Sequence, residues 1–242
     1  AANGVIIINT KRGSEGKTTL TVSNSTTFST AYMMPEMQSR YGMSANGESW
    51  GPALSSDYSF DPRKFFNTGT NVINSVSLST GNEKNQTYIS ASTTNSTGIV
   101  PGSKYNRYNF SARNTTKFLN DKLILDFGAS FIIQNDHNLV SQGTYYNPIT
   151  GLYLFPRGED FNEVRAYERW SSAQGRYVQY WPYGAGVHNI QNPYWVQNRN
   201  NRDMNKRRYM LNASLQYNIT DWINVVARVR TDESTYRNTR EY

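Results

Sequence analysis

Hydrophobic and polar residues alternate along much of this chain with a period of two. The clearest stretch is 122–134, where Leu123, Leu125, Phe127, Ala129, Phe131 and Ile133 share one face and Asp126, Gly128 and Ser130 the other. Period two is the mark of a strand with one apolar and one polar face. The same alternation recurs near 17–30 (Leu20, Val22), 71–81 (Val72, Val76, Leu78), 86–97 and 105–118 (Tyr108, Phe110, Ala112). It returns near 206–218 (Tyr209, Leu211, Ala213, Leu215, Tyr217) and 222–234 (Ile223, Val225, Ala227, Val229). The pattern thus predicts an all-β, antiparallel chain of seven strands, each roughly 10 to 14 residues against the roughly 5 to 6 usual in soluble sheets.

The connections sort by length. Tight turns at 82–85, 120–121 and 220–221 alternate strictly with longer stretches at 31–70, 98–104 and 135–205. A meander with short turns at one rim and long loops at the other is the arrangement of a bacterial outer-membrane barrel. A Greek-key sandwich has no reason to sort its loops in this way. Short helices are predicted inside the loops: one at Pro35 to Tyr41, closed by Gly42, one over 63–68 with Asp61 as N-cap and Pro62 behind it, and one after Asp160, where Glu163 completes a capping box ahead of Val164, Tyr167 and Trp170.

Composition narrows the class. Only 37% of residues are hydrophobic, mean hydropathy is −0.71, and no apolar run reaches the roughly 18 to 20 residues a membrane-spanning helix needs. Aromatics make up 14%, with 18 Tyr. That mixture suits an outer-membrane barrel, and equally a secreted glycan-binding β-sandwich, the rival reading. The two differ in one respect: a barrel turns its apolar faces to lipid, whereas a sandwich buries them as core. An outer-membrane structural or secretion component would share the barrel pattern.

The net charge of +7 is dispersed and no nucleic-acid motif accompanies it, so no nucleic-acid partner is expected. There is no cysteine, which excludes disulfides and thiolate metal sites. His137 and His188 lie far apart without metal-ligand spacing or a nucleophile elbow, so neither catalysis nor a cofactor is expected.

Two groups of residues are candidates for function. Arg107, Arg113, Asp126, Arg208, Arg228 and Arg230 fall on the polar faces, which in a barrel line the lumen. Their expected use is salt-bridging and hydrogen bonding to a plug inside the barrel, with guidance of an anionic substrate as the alternative. The 135–205 loop holds thirteen aromatics, and Tyr146, Trp170, Tyr177, Tyr180, Trp181 and Trp195 are the candidates for stacking on a substrate. The alternative for these rings is packing of the loop on itself.

The N-terminus opens on a run of β-branched residues, Val5 to Ile8, that reads as a buried strand with nothing before it to pair with, so the chain is expected to start inside a fold. Ala2-Asn3-Gly4-Val5-Ile6-Ile7-Ile8 followed by Thr10-Lys11-Arg12-Gly13 resembles the close of the plug domain in SusC/RagA-family TonB-dependent transporters. Met34-Pro35-Glu36-Met37-Gln38 with Tyr41-Gly42, and then Ser49-Trp50-Gly51-Pro52, is similar to the first extracellular loop of such barrels. Leu152-Tyr153-Leu154-Phe155-Pro156-Arg157-Gly158 is also similar to family sequences, with no role attached.

The resemblance implies that 1–13 is the last plug strand and 14–242 the N-terminal part of a transmembrane barrel of about twenty-two strands. It further implies import of an oligosaccharide or peptide across the outer membrane of a Gram-negative bacterium. The implied partners are a SusD-like surface lipoprotein, the TonB complex and outer-membrane lipid. A strand leaving a plug runs outward, so the long connections are expected on the extracellular side.

Overall fold

The computed structural model describes residue 11 and residues 13–58, 60–181, 183 and 190–241. Seven strands form one antiparallel sheet in the order β1-β2-β3-β4-β5-β8-β9. They are β1 (Gly16–Ser29), β2 (Gly69–Gly81), β3 (Asn85–Thr97), β4 (Lys104–Phe118), β5 (Leu123–His137), β8 (Arg202–Asn218) and β9 (Asn224–Arg240). Between β5 and β8 lie α1 (Pro148–Tyr153), a 3-10 turn (Phe161–Arg165), the hairpin β6 (Glu168–Ser171) with β7 (Arg176–Gln179), and α2 (Pro193–Arg199). No helix among the described residues is long and apolar enough to cross a membrane. The whole is a seven-stranded meander of the kind that makes part of a barrel, with short helices confined to its loops.

The tight turns 82–84, 119–122 and 219–223 lie at one rim and the connections 30–68, 98–103 and 138–201 at the other, as each antiparallel pairing requires. The register places the predicted apolar residues in shared rows. Leu20, Leu78, Ile89, Ala112, Ala129 and Leu211 form one row, and Val22, Val76, Ala91, Phe110, Phe131 and Tyr209 the next. Continued into β9, those rows reach Thr231 and Glu233, while the apolar residues there, Val225, Ala227 and Val229, sit nearer the tight turns. The apolar stretch of β9 is therefore shifted toward the tight turns relative to the rows of β1 to β8, as in a barrel whose strands are tilted.

Burial along β5 is inverted relative to a soluble sheet. Asp126, Gly128, Ile132 and Asp136, on the polar face, are buried, while Leu125 and Phe127 on the apolar face are exposed. Leu211, Leu215, Val225 and Val229 are exposed likewise. A sandwich would bury these side chains against a second sheet; the other sheet here is only the β6–β7 hairpin in a loop. The sandwich reading fails on this point.

Several strands outrun their predicted limits, notably β8, which starts at Arg202 rather than 206, and β9, which runs on to Arg240 rather than 234. Both faces are polar in these extensions, so the alternation that reveals a strand fades there. The predicted plug strand lies almost wholly outside the described residues. Gly13, at its end, is buried so closely on the sheet that a Cβ would stand 2.4 Å from the backbone nitrogen of Thr87. Beside it the Ser14 backbone N–H donates to Ser79 Oγ at 3.1 Å, on the polar face.

The predicted helix at 35–41 does not form. The Gln38 side chain accepts from the backbone N–H groups of Arg40 and Tyr41 and donates to the Tyr41 carbonyl, which replaces helical bonds with local side-chain ones. Asp61 does cap a turn, but it is a 3-10 turn over Pro62–Phe65 that stops before 68, because Asn67 N–H bonds to the Ile99 carbonyl and leads into β2. Asp160 caps Phe161–Arg165 through the Asn162 N–H. The helix does not continue to Trp170, which is in β6; Glu163 accepts from Tyr183 Oη at 3.2 Å instead of closing the capping box.

Candidate functional site

The three long connections share a single core. Phe65 from the first, Val100 from the second, and Leu152, Phe155, Phe161, Val164 and Tyr183 from the third are all buried together. Met43, Phe60, Ile99, Trp181 and Tyr194 pack around them. The rings meet mostly edge to face: Phe155 lies 5.0 Å from Phe161 at 89° and 5.0 Å from Tyr183 at 87°. The outer rim thus carries a packed dome rather than three free loops.

The stretch Leu152 to Gly158 is the keystone of that dome. Leu152, Phe155, Pro156 and Arg157 are buried. Arg157 donates to the Phe155 carbonyl at 2.7 Å and lies over the Phe60 ring at 5.4 Å, and burial pushes its pKa down. Tyr58 Oη donates to the Glu159 carbonyl, and its own pKa is raised by burial. These contacts tie the first connection to the third.

Above the outer ends of β8 and β9, between the β6–β7 hairpin and α2, a cleft of about 690 Å³ opens. Its lining includes Tyr146, Tyr177, Trp195, Arg176, Gln191 and Asn198. Asn192 positions α2 by accepting from the backbone N–H groups of Tyr194 and Trp195, while its own amide donates to the carbonyls of Val164 and Tyr180. The hairpin is fixed to α2 by Glu168 and Arg199, whose two hydrogen bonds measure 2.6 and 2.9 Å. The arginine's hydrogen bonds hold the Glu168 carboxyl below its ordinary range.

The six candidate rings separate into two sets. Tyr146, Tyr177 and Trp195 line the cleft. Trp170 stands beside it, exposed, with its ring 5.4 Å from Tyr177 across the hairpin. Tyr180 is covered by the Arg169 guanidinium, 3.3 Å from the ring centre, and Trp181 packs on Phe155 and Tyr183 at 6.3 and 6.0 Å. Those last two rings are committed to packing. Arg176, Gln191 and Asn198 join the cleft without having been marked by the sequence, because polar residues in a polar loop carry no contrast.

The polar-face residues are brought together as their parity requires. Arg113 grips Asp126 through Nε and Nη2, at 3.0 and 2.9 Å, and Thr115 Oγ1 donates to the same carboxylate at 2.9 Å. Arg208 pairs with Asp232, and Arg107 donates from Nε to Asn109 Oδ1 at 2.9 Å. Arg228 and Arg230 share that face, in register with Ser214 and Asn212, and have no ion-pair partner among the described residues. His137 pairs with Asp203 at 2.7 Å on the opposite face, and His188 lies outside the described residues. Among the described residues no group of three or more metal-ligating side chains exists.

No protein-family model and no curated protein matches this sequence. Solved structures do match its fold. A chain of the RagAB peptide importer in the "closed-closed" state superposes on 95% of this chain with a TM-score of 0.65 at 15% identity, and 29% of that chain is covered. A chain of the RagAB peptide transporter superposes on 75% with a TM-score of 0.54, again at 15% identity, with 19% of it covered. The present chain therefore spans less than a third of the length of the chains it resembles. At such identity the likeness is one of fold: the meander and its dome match a portion of peptide-importer chains.

Proposed function

We propose that this chain is part of a SusC/RagA-type TonB-dependent transporter that imports an oligosaccharide or peptide across the outer membrane of a Gram-negative bacterium. In this reading it works by binding and passage, without catalysis or a cofactor, beneath a SusD-like lipoprotein and driven by the TonB complex. The observation that carries the reading is the inverted burial of β5, whose polar-face residues Asp126, Gly128, Ile132 and Asp136 are buried while Leu125 and Phe127 are exposed. Aromatic girdles add to it. In β8, Tyr209 and Tyr217 bracket Leu211, Ala213 and Leu215, all on the exposed face, and Phe131 and Phe118 lie in the rows of the two tyrosines. Eight residues span about 26 Å along a strand, or about 20 Å of height at a tilt near 40°, most of the apolar band of about 25 Å in outer-membrane barrels.

The cleft fits a peptide best. Its Gln and Asn amides match backbone donors and acceptors, its guanidinium groups match carboxylates, and its rings offer flat apolar faces. The likeness to peptide-importer chains supports the same choice. The test is uptake of labelled peptides and oligosaccharides by cells carrying the full-length protein, with and without the proton-motive force, alongside heat-modifiable migration of the barrel. Force-dependent peptide uptake is expected; an assembled barrel that takes up neither solute would reject the reading.

A further inference from the structure

Outward-facing asparagines on the sheet differ in whether their amides find partners, and Asn24 Nδ2, which donates to Asn74 Oδ1 at 2.6 Å, is among those that do. Near the tight turns, Asn114 Nδ2 donates to Thr87 Oγ1 at 2.8 Å and Asn85 Nδ2 to Thr116 Oγ1 at 2.8 Å, so these amides satisfy one another. Toward the dome, Asn95, Asn106, Asn135 and Asn205 stand side by side in one cross-strand row and reach Arg237 in β9. None of these four side chains makes a hydrogen bond among the described residues. Asparagine is disfavoured in strands, so four abreast with idle amides need a partner outside the sheet.

Height and charge say what that partner is. The row lies on the lipid-facing side, four residues beyond Phe131 and Tyr209, or about 13 Å along the strand from the outer girdle. Arg207 lies between them, in the row of Tyr108 and Ile133. Lys104 lies one row further out, beside His137 and Asp203, which already pair with each other. Arg207, Arg237 and Lys104 have no acidic partner among the described residues. Arg207 one row inside the amides, Arg237 in their row and Lys104 one row beyond them interleave three cations with the amides, and such a patch complements a phosphorylated sugar headgroup.

We infer that this face, made of Arg207, Arg237, Lys104 and the Asn95–Asn106–Asn135–Asn205 row, binds the phosphorylated sugar headgroup of an outer-leaflet glycolipid of the lipid A type. The arginines take the phosphates by paired hydrogen bonds and the amides take the sugar hydroxyls. The inference rests on the membrane-barrel reading. It fixes the protein's height in the outer leaflet by bonding as well as by hydrophobic match.

The experiment reconstitutes the full-length protein in phosphatidylethanolamine nanodiscs doped with bis-phosphorylated or with dephosphorylated lipid A, and counts retained lipid A by native mass spectrometry. Wild type should retain the phosphorylated form preferentially. The double variant Arg207→Gln/Arg237→Gln should lose about tenfold, the effect of losing a hydrogen bond to a charged group, with unchanged heat-modifiable migration. Asn106→Ala/Asn135→Ala should weaken retention of both forms, and it serves as the second test should the arginine variant misassemble. Retention equal to wild type in both variants, or indifference to the phosphates, overturns the inference. Leu215→Arg separates it from the reading beneath: normal assembly of that variant would sink the barrel itself, whereas failed assembly of Leu215→Arg with unaltered lipid retention in the other two sinks only the headgroup site.

Discussion

Leu125 and Asp126 are neighbours in β5 with inverted burial: the leucine is 38% exposed and the aspartate 9%. Adjacent strand residues point to opposite faces, and β8 repeats the ordering, with Tyr209, Leu211, Leu215 and Tyr217 exposed and Arg208, Met210, Ser214 and Gln216 half-buried between them. This ordering makes the exposed face the one that needs an apolar solvent. Leu215, opposite Leu125 in the ladder, should therefore tolerate Met or Phe, while Leu215→Arg should cost about 2 to 4 kcal/mol of barrel stability. Folding into vesicles, followed by heat-modifiable migration against urea, measures it.

The two arginine–aspartate pairs of the inner face should differ in weight. The side chains of Arg113 and Asp126 are 17% and 12% exposed, whereas those of Arg208 and Asp232 are both 33% exposed. Removing one partner of a buried pair strands the other charge, so Asp126→Ala should cost about 3 kcal/mol. Asp232→Ala should cost far less, since solvent screens that pair. Urea titrations of both variants, with the Arg113 double-mutant cycle, give the comparison.

Phe155→Ala should melt the dome without unmaking the barrel. The ring is fully buried among four aromatic neighbours, all of them in the long connections, so its loss should cost about 3 to 5 kcal/mol of local stability. Limited proteolysis should then cut within 30–68 and 138–201, with barrel migration unchanged.

Trp170→Ala and Trp181→Ala should separate binding from packing. Trp170 is exposed beside the cleft, and its removal should weaken peptide capture by about 0.5 to 1.5 kcal/mol while leaving the dome protease-resistant. Trp181→Ala should expose the dome to protease first. Parallel uptake and proteolysis assays on the two variants read both effects.

Acid should release the hairpin from α2. The Glu168 carboxyl titrates below its ordinary 4.5 because Arg199 bonds it. A depressed folded-state pKa stabilises above the unfolded value and loses that contribution as pH falls through the folded one. The hairpin should thus hold at neutral pH and loosen as pH falls below 4.5, an effect absent in Glu168→Gln. Fluorescence of Trp170 against pH, in wild type and variant, follows it.

The strands and their faces were legible because every second residue reported one environment, from Leu123 to Ile133 without a break. The sorting of turns and loops was legible for the same reason. Within the dome, signals were local and partly overlooked. Asn147-Pro148 and Asn192-Pro193 start α1 and α2 with the N-cap and first-position proline that Asp61-Pro62 also shows. The hairpin β6–β7 left no such trace, since four-residue strands are too short for a period to emerge. The cleft was illegible altogether, because its walls come from Tyr146, Tyr177 and Trp195, about fifty residues of chain that only the fold brings together.

The shared core beneath the dome has a consequence for inheritance and engineering. Phe65, Val100 and Phe155 belong to three different connections yet fill one volume, so no connection can drift in sequence alone. A related chain that acquired a new third connection by recombination would also have to acquire the first and second, or lose its packing. Chimeras meant to exchange these connections between related chains should accordingly be cut in the strands, at the level of Gly69, Lys104 and Arg202, and moved as a set.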